Sequence, residues 1–364
     1  MLNDLSYMLE AIQLAKKGWY TTFPNPRVGC VIVKDNNVIA RGWHQQAGEA
    51  HAEINALNQV KHQAQDCTAY VTLEPCSHFG KTPPCCDALI AAGVKRVVVA
   101  MTDPNPLVAG QGIGRLKDAD IEVVSGILEA EARALNRGFI KRMADNRPFV
   151  RCKMAASLDG QTALVSGESQ WITSPPARSD VQGLRAESAA ILTGIGTVLA
   201  DDPSMTVRES KYNLIKQPAR IILDSQLKIP PTAKILKQPD RVYIFTSQNQ
   251  LDCAKAKLLQ QQGVSLYAVP LQSQGLDLAQ ILTKLAELQF NEILLESGKK
   301  LAGSMISAGL VDELVIYLAP KLMGSGGRAM FDLDGINTMA DVKDLNIKDI
   351  RQVGKDLRLL VSLS

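Results

Sequence analysis

The chain has 364 residues, of which 46% are hydrophobic and 21% charged, and its formal net charge is +3. That length suits two domains of ordinary size with buried cores, and nothing in the composition indicates disorder. The small net charge, with acids and bases interspersed, argues against a nucleic-acid binder. Because no run of about 18 apolar residues occurs, no membrane partner is expected either.

The amino-terminal segment has the apolar spacing of a helix, predicted over 3–17. A secretory signal would instead need a basic start and an unbroken apolar run. The seven cysteines are an odd number in a large chain with no such signal, so disulfide bonds are not expected. We therefore expect a cytoplasmic protein whose clustered cysteines serve metal binding or catalysis.

The first half then alternates strands and helices. The pattern predicts a hairpin around 35–37, a helix over 51–61, a strand over 69–74, a helix from Pro83 to Gly93, a strand over 96–101, a further helix and strand to Val124, and one amphipathic helix over 127–142. "GQGIG" at 110–114 lacks the last Rossmann glycine, because Arg115 stands there, and is interpreted as a plain loop.

A boundary within 143–149 separates residues 1–146 from residues 147–364. Strands are predicted beyond it at 149–157, 189–194, 219–225, 241–247, 264–269, 292–297, 313–320, 346–353 and 357–363. Both halves therefore indicate α/β domains. All four histidines precede residue 79, so imidazole or zinc chemistry belongs to the first half.

A candidate metal site combines "HAEINAL" at 51–57 with cysteines at 76, 85 and 86. Zinc deaminases carry H-x-E followed by P-C-x-x-C, in which the glutamate moves protons and is not a ligand. His51, Glu53 and Cys76 match this pattern, whereas Cys85 lies nine residues after Cys76. One histidine and two cysteines leave one tetrahedral position open, as a catalytic zinc requires.

His51 and Glu53 reach one ion only at a helix start, since a spacing of two turns a helix by about 200°. Cys85 would lie in the first turn after Pro84, where the helix dipole stabilises a thiolate. Spacing alone does not distinguish Cys85 from Cys86. A structural zinc with His78 as fourth ligand is the alternative, and it leaves Glu53 without a role.

The runs "PNPRVGCVIVKD", "GWHQQAGEAHAE", "LEPCSHFGKTPPCCDALIAAGV" and "DPNPLVAGQG" closely resemble the deaminase half of the bifunctional riboflavin-biosynthesis deaminase–reductase family. The resemblance implies a cytidine-deaminase-like α/β/α domain and accounts for the long gap between the cysteines. It implies that His51, Cys76 and Cys85 bind zinc and that Glu53 is the catalytic proton shuttle. It further implies that Asn25, His44 and His78 contact the substrate.

In the second half, "KMAASLDGQTA", "GESQWITS" and "GIGTVLADDPSMTVR" resemble the reductase half of the same family, which has a dihydrofolate-reductase-like α/β fold. Two glycine-rich turns, after the strands at 189–194 and 292–297, could direct backbone N–H groups at an anion. Neither matches the dinucleotide motif G-x-G-x-x-G, so a Rossmann domain is disfavoured.

The resemblance implies two sets of contacts in this half. The NADPH contacts would be Ala155, Trp171, Thr197, Asp201, Ser225, Gly298, Lys299, Lys300, Leu301, Ala302, Gly303 and Ser304. The substrate contacts would be Lys153, Ser169, Arg185, Met205, Arg208 and Glu296. Met205 replaces the leucine usual in the family, a change that conserves volume.

The sequence thus predicts an enzyme with one Zn²⁺ per chain and NADPH, acting on a small phosphorylated pyrimidine as a homo-oligomer. It would deaminate 2,5-diamino-6-(5-phosphoribosylamino)pyrimidin-4(3H)-one and then reduce the ribosyl side chain to give 5-amino-6-(5-phosphoribitylamino)uracil. Lys153 or a water would donate the proton of the reduction. A tRNA base deaminase, which the 5% aromatic content does not support, and a binding module with a structural zinc are the alternatives.

Overall fold

The structure is a computed structural model that describes residues 2–77, 83–106, 108–212, 214, 216–273 and 275–363. The chain forms two compact units, Met1–Arg147 and Pro148–Ser364. Within the described ranges, no helix is both long enough and apolar enough to cross a membrane.

The first unit is built around one mixed sheet. Its elements are α1 (Leu2–Ala15), β1 (Gly29–Lys34), β2 (Asn37–Trp43), α2 (Ala52–Gln59), β3 (Thr68–Val71), α3 (Cys85–Ala91), β4 (Arg96–Val99), α4 (Gln111–Asp118), β5 (Glu122–Ser125), α5 (Glu129–Leu135) and α6 (Arg137–Asp145). The strand order is β2-β1-β3-β4-β5. β1 is antiparallel to β2 and β3, whereas β3, β4 and β5 are parallel.

Helices cover both faces of this sheet. Ala56, Leu57 and Leu89, from α2 and α3, pack in one apolar cluster, and Met8 and Ile12 from α1 pack in another on the opposite face. Gly42 allows α2 to lie close to β2, because a Cβ at this position would be 2.1 Å from the carbonyl oxygen of Ala52. The predicted α/β/α class is confirmed, and this packing places the start of α2 against β2.

The prediction of one helix over 127–142 is wrong, because the chain forms two helices that meet at Asn136. The buried Asn136 side chain accepts a hydrogen bond from the Arg27 N–H (2.7 Å) and donates one to the Arg27 carbonyl (2.9 Å). The Arg27 guanidinium also donates to the carbonyl of Leu135, at 2.7 Å. The periodicity of apolar residues within 127–142 cannot reveal that Asn136 binds Arg27, which is distant in the sequence.

The second unit contains a larger sheet. Its elements are β6 (Phe149–Ser157), β7 (Gln161–Ala163), α7 (Pro175–Glu187), β8 (Ala190–Gly194), α8 (Ile195–Asp201), β9 (Ala219–Leu223), β10 (Val242–Thr246), α9 (Ala254–Gln261), β11 (Ser265–Ala268), β12 (Leu271–Gln272), β13 (Gly275–Leu276), α10 (Leu278–Glu287), β14 (Glu292–Leu295), α11 (Lys299–Ser307), β15 (Glu313–Ala319), β16 (Arg328–Ala329), β17 (Leu345–Val353) and β18 (Asp356–Leu363).

The strands of the large sheet follow the order β11-β10-β9-β8-β14-β6-β15-β18-β17. Those from β11 to β15 are parallel, and β18 and β17 add an antiparallel edge. The α/β class predicted for this half is therefore confirmed. Because the carboxyl ends of β9, β8, β14 and β6 meet at one edge, ligand-binding residues are expected there.

Candidate active sites

Two of the three predicted zinc ligands of the first unit lie at helix starts. His51 directly precedes α2 in an extended conformation, and Glu53 is the second residue of that helix. Cys85 is the first residue of α3, after Pro84, and Cys76 lies in the segment between β3 and α3. The start of α2 at Ala52 is thus where the spacing of His51 and Glu53 requires it.

The possible ligand atoms of His51, Cys76 and Cys85 all lie within 4.8 Å of one another. His51 Nδ1 is 3.3 Å from Cys85 Sγ and 3.6 Å from Cys76 Sγ, and the Cys85 N–H donates to Cys76 Sγ at 3.3 Å. One imidazole nitrogen and two sulfurs are donors that zinc accepts readily, and they leave a fourth position open. The residues present therefore fit the predicted ion.

The electrostatics of the cluster also suit a metal. Hydrogen bonds from Cys85 and His51 lower the pKa of the Cys76 thiol to about 4 despite its burial, which favours its thiolate form. The hydrogen bond between His51 and Cys76 raises the pKa of His51, and a second hydrogen bond, from the Cys85 thiol to Cys76, raises the pKa of Cys85 together with burial. Metal binding would displace these protons, because zinc coordinates neutral imidazole and thiolate.

Glu53 lies beside the cluster, only 3% exposed, and its carboxyl contacts the Cys85 thiol. Burial raises the pKa of Glu53 to about 7, although the nearby His51 opposes the shift. A carboxyl with a pKa near the ambient pH can both take up and release a proton efficiently.

The adjacent Cys86 points away from the cluster. Its thiol is fully buried and donates to the carbonyls of Pro75 at 3.2 Å and Gly112 at 3.5 Å. Burial raises the pKa of Cys86 to about 12, so the thiol remains a donor. The geometry therefore distinguishes Cys85 from Cys86, which spacing alone cannot do.

His78, a predicted substrate contact, lies outside the described residues.

Asn25 and His44 extend the site from His51. The Ala50 carbonyl accepts from His44 Nδ1 at 3.1 Å, so His44 Nε2 is free to accept from the Asn25 amide, also at 3.1 Å. Burial lowers the pKa of His44, which favours this neutral tautomer. The rings of His44 and His51 lie edge to face, 5.5 Å apart.

In the second unit, Lys153, Arg185 and Glu296 come together. Cys152 on β6 pairs with Leu295 on β14. The next residues, Lys153 and Glu296, are therefore level with each other, toward the sheet edge at which the carboxyl ends of the parallel strands meet. The Arg185 guanidinium, from α7, binds both carboxylate oxygens of Glu296, at 2.6 and 3.0 Å. It also donates to the Thr206 carbonyl at 3.0 Å.

Charge interactions set the protonation of this group. Burial alone would raise the pKa of Glu296, but Arg185, Lys153 and Arg208 lower it overall. Burial lowers the pKa of Lys153, and Glu296 opposes that shift. An ionised carboxylate between cationic side chains can hold polar groups of a ligand in place.

The other predicted substrate contacts of the second unit, Arg208, Met205 and Ser169, differ in how far they are exposed. Arg208 is exposed, and its backbone N–H donates to the Gln182 side chain at 2.8 Å. Met205 is 4% exposed and packs among apolar residues that include Val198 and Ile222. Ser169 is half-buried.

Most predicted NADPH contacts follow adjacent parallel strands. Thr197 and Asp201 lie on α8, which begins where β8 ends, and Ser225 follows β9. Gly298 precedes α11, which contains the contacts predicted from Lys299 to Ser304. The Ala155 position is on β6.

Not every one of these side chains is accessible. Ala302 is fully buried in the apolar core, and a Cβ on Gly303 would lie 1.9 Å from the Asp332 carbonyl oxygen. The Trp171 side chain is 63% exposed, and the Arg178 guanidinium lies 4.5 Å from the ring centroid. The accessible part of α11 is therefore its first turn, where backbone N–H groups point outward and attract anions.

Three buried polar atoms near this edge have no partner in the described residues: Thr193 Oγ1, Asp224 Oδ1 and Thr246 Oγ1. They lie at the ends of β8, β9 and β10. Buried polar atoms normally bind water or a ligand. Their presence beside the predicted contacts fits a polar cofactor, and no sequence motif predicted them.

In the first unit, the sequence analysis likewise assigned no role to Glu74, which lies two residues before Cys76.

Comparison with known proteins gives one consistent answer. A model of the cytidine and deoxycytidylate deaminase zinc-binding region matches residues 1–101, and a model of the RibD C-terminal domain matches residues 148–359. The riboflavin biosynthesis protein RibD of Escherichia coli K12 is 49% identical over 98% of this chain and 99% of its own length.

Solved structures agree over the whole chain. Acinetobacter baumannii RibD, form 2, is 45% identical with a TM-score of 0.92, covering 100% of this chain and 99% of that one. A Thermotoga maritima diaminohydroxyphosphoribosylaminopyrimidine deaminase/5-amino-6-(5-phosphoribosylamino)uracil reductase is 31% identical with a TM-score of 0.88, covering 100% and 99%. The chain belongs to the RibD family of riboflavin biosynthesis, whose members combine a zinc-dependent deaminase with an NADPH-dependent reductase.

Proposed function

We propose that residues 1–146 deaminate 2,5-diamino-6-(5-phosphoribosylamino)pyrimidin-4(3H)-one and that residues 147–364 reduce the product to 5-amino-6-(5-phosphoribitylamino)uracil. The substrates named for the Thermotoga protein, which the chain covers almost completely, support this choice. So does the division of residues: histidine and cysteine donors cluster in the first unit, whereas the second has a charged cluster at a sheet edge.

In the first unit, we assign His51, Cys76 and Cys85 to the metal and Glu53 to proton transfer. Bound zinc supplies Lewis-acid activation of water near neutral pH. The Glu53 carboxyl would take up a proton from water and return it to the departing amine, a role that its burial and its pKa of about 7 support. Asn25 and His44, joined by their hydrogen bond, orient the pyrimidine beside the cluster.

In the second unit, Arg185 and Glu296 orient the ribosyl side chain and Arg208 binds its phosphate. NADPH supplies the hydride. Lys153 donates the proton, which is supported by its lowered pKa and by its position level with Glu296. The first turn of α11, Thr197 and Ser225 would hold the cofactor, a role supported by their position after adjacent parallel strands and by the backbone N–H groups of that first turn.

The observation that carries the deaminase assignment is the meeting of two helix starts, which brings three ligand atoms within 4.8 Å beside a buried glutamate. We expect a zinc chelator to stop ammonia release from the diaminopyrimidinone and added zinc to restore it. A tRNA deaminase would leave this compound untouched, and a binding module with a structural zinc would release no ammonia at all.

Cys85→Ala should lose the zinc, whereas Cys86→Ala should retain about one ion per chain. Cys85 Sγ lies 3.3 Å from His51 Nδ1, but the Cys86 thiol points to the carbonyls of Pro75 and Gly112. Elemental analysis of the purified variants measures the difference. Equal zinc loss would mean that the two cysteines are not separated as assigned.

We infer further that the enzyme is a homo-oligomer in the cytoplasm. β17 is a sheet edge on which Leu345, Ile347 and Ile350 are about half exposed, and such edges normally pair with another chain or are shielded. Pairing with a second copy would cover it, so Ile350→Lys should reduce the sedimentation coefficient if this edge is the contact.

The seven cysteines, none of which forms a disulfide bond, support a reducing compartment.

A further inference from the structure

The "GQG" stretch at 110–112 is explained by Glu74. The Glu74 side chain is 4% exposed and accepts hydrogen bonds from four backbone N–H groups. Oε2 accepts from Asp103 and Gly110, each at 3.0 Å, and Oε1 accepts from Gly112 at 2.8 Å and Ile113 at 3.1 Å. One carboxylate therefore holds the start of α4 together with the segment that precedes it.

Both glycines are needed for this arrangement. Gly110 has a φ of +78°, a conformation that disfavours residues with a Cβ. A Cβ on Gly112 would lie 2.1 Å from the carbonyl oxygen of Pro75, so the two backbones could not approach so closely. The interpretation of 110–114 as a plain loop is wrong, because α4 begins at Gln111; this helix start and Gly110 form a binding frame for the Glu74 carboxylate.

The same frame contacts the residues on both sides of Cys76 and the start of α3. Glu74 and Pro75 directly precede Cys76, and the Cys86 thiol joins the carbonyls of Pro75 and Gly112. Arg115 of α4 donates to the Ser77 carbonyl at 3.2 Å and forms an ion pair with Asp87 of α3 at 2.7 Å. Residues on both sides of Cys76, and the helix that begins with Cys85, are thus fastened to α4.

We propose that Glu74 is the positioning residue of the metal centre: through its four N–H bonds it holds Cys76 and Cys85 at ligand distance from His51. The inference rests on the zinc ligands proposed above. Residues that orient metal ligands typically change metal affinity or activity by about 10- to 100-fold when replaced. Glu74 would act on zinc retention without touching the ion or the substrate.

Glu74→Gln tests this in the full-length enzyme. Glutamine keeps the shape, but its amide nitrogen would face two of the four N–H donors and cannot accept from them. We expect zinc release to a chromogenic chelator to be roughly 10- to 100-fold faster than in the wild type. The visible absorption of the Co²⁺-substituted protein should shift as well, because the sulfur ligands change geometry. NADPH oxidation by the second unit should stay unchanged.

Asp4→Asn is the matched control. Asp4 is also a well-shielded carboxylate of the first unit, and it is bound by Tyr70 Oη of β3 at 2.6 Å and by Arg96 of β4 at 2.9 Å. It should lower thermal stability while zinc release keeps the wild-type rate. Equal release rates and equal Co²⁺ spectra in the Glu74 and Asp4 variants would overturn the proposal.

Arg115→Met provides a second test if Glu74→Gln does not fold. It removes only a half-exposed link to Ser77 and Asp87, and it should still speed zinc release severalfold. A wild-type rate in this variant would contradict the positioning role. A failure of the ligand assignment would look different. In that case Cys85→Ala would retain its zinc and would release it at the wild-type rate.

Discussion

Glu53→Gln should reduce ammonia release by about 100- to 10,000-fold, the range contributed by general acid–base groups. Glutamine preserves the volume and one acceptor of the buried side chain but cannot take up and return a proton. Zinc content should remain near one ion per chain, since the ligand atoms of the metal cluster come from His51, Cys76 and Cys85. Ammonia release and bound zinc are measured on the same preparation.

NADPH oxidation with the uracil substrate is the internal control for this variant, because the second unit is unaltered. Normal reductase activity would show that the loss is confined to the first unit. If zinc disappeared together with the activity, Glu53 would be a ligand, and its assignment to proton transfer would have to be abandoned.

Arg185→Met should abolish the reductase and destabilise the protein by about 3–5 kcal/mol, because it leaves the Glu296 carboxylate buried without its partner. The pair is bidentate, at 2.6 and 3.0 Å, and its side chains are only 12% and 11% exposed. Scanning calorimetry of the full chain measures the loss of stability, and NADPH oxidation with the uracil substrate measures the loss of activity.

A double variant, Arg185→Met with Glu296→Gln, separates the two effects. Removing both charges should recover part of the stability, since the Glu296 carboxylate is no longer buried without Arg185, whereas Lys153 loses the carboxylate that opposes its loss of charge. Activity should not return, because the groups proposed to orient the ribosyl side chain are gone. Recovery of both together would mean that the pair serves only the fold.

The placement of the metal residues was largely predictable from the sequence. The spacing of His51 and Glu53 requires a helix start, and α2 begins between them at Ala52. Pro84 before Cys85 likewise marks the start of α3. These are local rules of helix geometry, so a single sequence is sufficient to apply them.

The features that the sequence did not reveal depend on distant contacts. Cys85 and Cys86 differ only in what packs against them, and the carbonyls that accept from Cys86 come from Pro75 and Gly112. Asn136 divides the predicted helix because its partner is Arg27, and the four donors to Glu74 follow it by 29 to 39 residues. Such partners are known only once the chain is folded.

The order of the two reactions is tested most directly with zinc-stripped enzyme, by following NADPH oxidation with each pyrimidine separately. With the deaminated uracil compound, the stripped enzyme should oxidise NADPH at the rate of untreated enzyme. With the diaminopyrimidinone it should be inactive until zinc is restored, because we propose that the reductase site accepts only the product of the first step. Equal NADPH oxidation with both compounds in the absence of zinc would contradict the account.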